Sequence, residues 1–169
     1  MSQNRDYPCR CPQDPLDPKD WDFKEHHIEQ TYLVMPQPMF FHAPMGMAGL
    51  IEKGREFGEK LELEFDDEHW RPLSLDAFFL GEMWLPLKTL SDPHPRVRRE
   101  TLHLHSKLFR GTLDGLGNAT AEFIRGMMRD QTLRWHKRVF FWYPTCNKCV
   151  DRKGMDEAVI FVEPKVKKK

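Results

Sequence analysis

Long apolar runs are the first thing missing from this 169-residue chain. Its longest unbroken stretches, 139–143 and 158–162, are five residues each, whereas a spanning helix needs about 20. A transmembrane helix is therefore excluded. The start of the chain is polar and has no apolar core of the kind an export signal carries, which points to a cytoplasmic protein with no membrane partner. Catalytic signatures are missing too: there is no G-x-S-x-G and no P-loop. Gly115-Leu116-Gly117 lacks the third glycine and the strand context of a dinucleotide fingerprint. Net charge is zero, and a pI of about 7.1 is far from the basic values of domains built for nucleic acid.

Aromatic residues, by contrast, are plentiful. Twelve Phe and five Trp are incompatible with a disordered chain. A chain of this length can bury roughly 70% of its unfolded surface, enough for one real core. The neutral total hides two unequal halves: residues 1–85 hold 17 acidic and 8 basic side chains, and 86–169 hold 9 and 18. Folding can pack an acidic layer against a basic one, or leave a basic face for an anionic partner.

Along the chain, Pro8, Pro12, Pro15 and Pro18 impose an extended course on residues 1–20. A strand is expected over 28–35, stopped by Pro36 and Pro38. A helix over 46–60 carries the stripe Met47, Leu50, Ile51, Gly54, Gly58 and Leu61, its glycines implying a close neighbour. Leu61, Leu63 and Phe65 alternate with Glu62 and Glu64, predicting a strand. Pro72 and Ser74 suggest a helix start for 75–84. A strand follows over 98–109, then a helix capped by Asn118 or Thr120, then strands over 135–143 and 158–163. These elements predict an α+β single domain with a largely antiparallel sheet and about three helices. Its organisation is a proline-rich arm at 1–20, the α+β domain at 21–163 and a basic tail at 164–169.

The four cysteines form two tight pairs, Cys9-Arg-Cys11 and Cys146-Asn-Lys-Cys149. In a reducing compartment paired thiols more often hold metal than form disulfides. The second pair falls between two expected strands, so four thiolates could clasp the arm to a C-terminal hairpin around structural zinc. The C-x-C and C-x-x-C spacings resemble those of small bacterioferritin-associated ferredoxins, and that resemblance implies a 2Fe–2S cluster. It covers the pair spacings alone, since the 134 residues between the pairs make a far longer gap than that family has.

His103 and His105, two apart on an expected strand, emerge on one face and form a second candidate metal site. His94, His136 or the Glu25-His26-His27-Ile28-Glu29 group could complete it for iron or another divalent ion. Met35, Met39, Met45 and Met47 around His42 suit either Cu(I) or irregular packing. Arg125, Arg129, Arg134, Lys137 and Arg138, interleaved with Trp135, Phe140, Phe141 and Trp142, could take phosphates and stack bases. The leading expectation is a non-catalytic, zinc-bearing accessory factor or small subunit with a protein partner or a homo-oligomeric interface. The alternatives are a 2Fe–2S carrier, a histidine-ligated metalloenzyme and a nucleic-acid-binding module.

Overall fold

The strand β1 (Lys24–Phe40) is 17 residues long and closes the fold on itself. In the computed structural model, which describes residues 11–12, 14–88, 94–129, 136–145 and 156–165, β1 follows a short helix, α1 (Pro18–Trp21). Then come β2 (Ala43–Pro44), α2 (Met47–Lys60), β3 (Leu73–Leu75), β4 (Leu80–Leu87) and β5 (Val97–Arg110). A turn of 3-10 helix leads into α3 (Leu116–Arg129), and β6 (His136–Trp142) and β7 (Glu157–Pro164) end the described chain. The chain is thus a single α+β domain with a seven-stranded antiparallel sheet and three α-helices.

β1 pairs with β4 through its second half and with β5 through its first. The remaining pairings run β4–β3–β6–β7–β5, so six strands close into a barrel and β2 adds a small hairpin to β1. Closure removes the sheet edges that would otherwise invite aggregation. β1 runs straight through Pro36 and Pro38, where the sequence predicts a stop. At even positions the β1 amides point towards β5, as Val34 N–H does to Arg96 O. β5 begins only at Val97. The two prolines therefore sit where no amide is needed, and the ladder to β4 is unbroken.

Inward-facing Tyr32, Val34, Trp84, Leu102, Leu104, Phe140 and Phe161 fill the barrel. α2 covers the outer faces of β1 and β4 through Leu33, Met35, Met83, Leu85 and Leu87. α3 covers β6 and β7 through Val139, Phe141, Ile160 and Val162. Strands covered on both sides read as continuous apolar runs, while β5, bare outside, alternates. The same two-sided burial explains a correction: 75–84 is not a helix but the end of β3, a turn and the start of β4. The stretch 61–65 is not a strand either. Glu62 has φ 56°, Leu63 N–H returns to Gly58 O, and only Phe65 makes a bridge, to Leu87. α3 begins at Leu116, ahead of both expected caps, and the Thr120 hydroxyl bonds back to Leu116 O inside it.

The glycine stripe of α2 behaves as its spacing predicts. A Cβ on Gly54 would collide with Leu85, and one on Gly58 with the Phe65 ring. Of the arm, Leu16 lies against the inner core, its amide bonded to the Glu157 carboxylate at 3.1 Å and its carbonyl to the Arg110 guanidinium.

Candidate active site

At one end of the barrel the inward-facing positions change from apolar to charged. Glu82 lies two residues before Trp84 on β4, Arg98 and Glu100 precede Leu102 on β5, Arg138 precedes Phe140 on β6, and Glu163 follows Phe161 on β7. The pleat therefore brings three carboxylates and two guanidiniums to one mouth. Arg138 Nε donates to Glu163 Oε2 at 2.5 Å, and its Nη2 reaches Glu163 Oε1 and Glu100 Oε2, each at 3.2 Å. Arg98 Nη2 donates to Glu82 Oε1 at 2.6 Å, and Trp84 Nε1 to Glu82 Oε2 at 2.8 Å. Both guanidiniums also lie over the Trp84 ring, at 5.7 and 5.2 Å.

These carboxylates are not equivalent. Glu163, 9% exposed, has both oxygens bonded to Arg138, and Glu82 has both taken by Arg98 and Trp84. Glu100, 23% exposed, spends Oε2 on Arg138, and among the described residues its Oε1 has no donor. Burial by itself lowers the pKa of Arg138, but the bonds and charges of Glu163 and Glu100 outweigh it and push the pKa up. Burial pushes the Tyr32 phenol up strongly; the Arg71 charge works against that and the Glu100 charge with it. Past Val97 β1 loses β5 as a neighbour, and a cleft of about 260 Å³ opens there. It is lined by Val34, Pro36, Leu80, Glu82, Arg96 and Arg98.

The opposite end of the barrel holds a second polar group. His26 Nε2 lies 2.7 Å from Ser106 Oγ, and that hydroxyl donates to Trp21 O at 2.6 Å. With the serine proton spent on a carbonyl, His26 must be the donor in the first bond. Ser106 is fully buried, and among the described residues no acid holds His26 Nδ1. The Arg71 guanidinium is wedged between Trp21 and Trp142, 4.9 and 5.0 Å from the ring centres, with Nε lacking a partner among the described residues. Burial and the nearby Arg71 charge push His26 down. The geometry is that of a closed, satisfied serine.

His103 and His105 both face outward from β5, but they are not brought to a common partner. His103 meets His27 across the strand pair, Nδ1 to Nδ1 at 3.1 Å, while His105 is opposite Glu25. His94 packs on Phe57, and His136 lies at the exposed start of β6. Among the described residues no group of three or more His, Cys, Asp or Glu is placed to hold a metal ion. Cys9, Cys146 and Cys149 lie outside the described residues; Cys11 is half-buried. Met35 and Met39 are core residues, and His42 bonds Asp76 at 3.0 Å. Arg138, Phe140 and Trp142 point into the barrel, so they are not the phosphate and base contacts the sequence suggests. Arg134 and Trp135 lie outside the described residues, while Arg125 and Arg129 line an open groove with Phe23 and Lys107.

Sequence pattern does not single out the five mouth residues as a set. Their signal is a charge in register with an inward apolar series, two or, for Arg98, four positions beyond its last member, and it becomes legible only once the pairing is known.

A family described as bacterial hydrolase matches residues 1–163. No curated protein matches the chain. The family match overturns the expectation of a non-catalytic accessory subunit.

Proposed function

The chain belongs to the bacterial hydrolase family, and from that premise we propose that it hydrolyses its substrate at the barrel mouth, with Glu100 as the group that activates water. The free oxygen of Glu100 carries this reading: it is the one interior carboxylate oxygen of the mouth without a donor among the described residues, on a side chain that is 23% exposed. A carboxylate so placed takes a proton from water as the oxygen attacks an electrophilic carbon or phosphorus, then returns it to the leaving group. The Arg98 guanidinium, 42% exposed at the cleft, stabilises the oxygen that gains charge. Glu82 positions Arg98, and the Arg138–Glu163 pair positions Glu100. The substrate class that fits is a small ester, amide or phosphoester whose reacting oxygen faces a guanidinium.

Assay of the full chain on p-nitrophenyl acetate, p-nitroanilides and p-nitrophenyl phosphate tests the reading. Glu100→Gln keeps the shape and the bond from Arg138, and should lower turnover by about 100-fold or more. Unchanged turnover in that variant, with loss in Ser106→Ala, would move the chemistry to the far end of the barrel.

A further inference from the structure

Beyond the barrel mouth two chain reversals lie side by side, the turn joining β1 to β2 and the turn joining β3 to β4. Between them they expose Phe40, Phe41, Met45, Phe78, Phe79 and Leu80, the last two at 65% and 68%. The four rings pack edge to face, with Phe41 4.8 Å from Phe78 and Phe78 4.4 Å from Phe79 between centroids. Phe41 and His42 have φ 46° and 68°, consecutive left-handed positions that hairpin turns normally give to Asn and Gly. Bulky residues there cost stability.

From this we propose that the phenylalanine tip docks the protein on a lipid bilayer. The two adjacent turns gather the exposed rings into one apolar cluster at an end of the fold, a feature that suits insertion into the headgroup layer. Two of its flanking amides are already paired: Met39 N–H bonds Phe79 O at 2.8 Å and Met45 N–H bonds Pro38 O at 3.0 Å. Apolar surroundings therefore leave those two amides satisfied. The ionisable groups of the two turns, His42 and Asp76, bond each other. Beside the tip, Arg96 is exposed at the cleft that Leu80 also lines, with no carboxylate partner among the described residues, a charge that suits an anionic headgroup. Docking at the tip does not depend on where hydrolysis takes place; with Glu100 as the base, it would turn the cleft towards the membrane.

Co-sedimentation of the full chain with phosphatidylcholine–phosphatidylserine vesicles tests it. The wild type should pellet, and Phe41→Ser with Phe79→Ser should lower the partition coefficient by about 100-fold, as expected for two buried rings. Should that double variant fail to fold, Phe79→Trp should show a blue-shifted emission when the same vesicles are added. A wild type that stays in the supernatant, or a double variant that binds as well, overturns the proposal. So does a dimer in light scattering that the double variant dissolves without any vesicle binding. A chain that docks while its Glu100→Gln variant keeps full turnover would retain the tip and discard the mouth.

Discussion

His26 shows how a single half-buried side chain can set a pH limit on this fold. Its imidazole is packed against Trp21 and Phe161, and burial, then the Arg71 and His105 charges, lower its pKa from the ordinary 6.5. The unfolded chain therefore binds more protons than the native one between that lowered value and pH 6.5, and in this window stability rises with pH. The stabilisation is complete above pH 6.5 and is lost as pH falls towards the native pKa. Thermal unfolding from pH 7.5 to 5.5 should show this decline, and His26→Gln, which keeps a donor for Ser106, should flatten it. An equal slope in both proteins would mean that His26 is hydrated in solution. Ser106 belongs to the same scale: its proton is committed to Trp21 O, so proximity to a histidine does not make it a nucleophile.

At the scale of elements, α2 reports on how closely a helix can approach a sheet. Its exposed and buried glycines should respond in opposite directions to the same substitution. Gly49 has nothing within 4 Å of an added Cβ, so Gly49→Ala should gain up to about 1 kcal/mol from helix propensity. Gly58→Ala gains the same propensity but drives a methyl into the Phe65 ring and against Leu33, for a net loss of about 1–3 kcal/mol. Denaturant unfolding of the two variants separates propensity from packing; a stabilised Gly58→Ala would mean that α2 is free to lift off β1 and β4. The stripe that reveals this contact is legible in the sequence, because helical spacing puts Gly54 and Gly58 among Leu50, Ile51 and Leu61. β4 is not, because both of its faces are covered and no alternation is left to see.

For the molecule as a whole, the barrel is held at its mouth by charge, next to an apolar middle layer. Arg138 joins β6 to β7 through Glu163 and to β5 through Glu100. Arg98 of β5 reaches Glu82 of β4 across β1. Arg138→Met should cost about 3–5 kcal/mol, because it leaves two partly buried carboxylates without their cation. Adding Glu163→Gln should restore part of that loss, a coupling that a double-mutant cycle in urea would read. A loss below about 1 kcal/mol in the single variant would place the network in solvent, where ion pairs contribute little. The same substitution unhooks Glu100, so turnover should fall with stability if the mouth is the reacting site.

Local patterning along the chain is enough for the α+β class, the extent of α2, the alternating face of β5 and the last two strands. Each depends on a local period, and local periods survive without knowledge of neighbours. The tertiary structure alone decided that β1 passes through two prolines, that β4 is a strand, and that six strands close into a barrel. It also decided which charges meet. Glu82, Glu100, Arg138 and Glu163 are as much as 81 residues apart in the chain, and strand register puts them on one inner rim. Pattern along a chain reveals which face a residue shares with its neighbours a few positions away; only the pairing of strands reveals what that face looks onto.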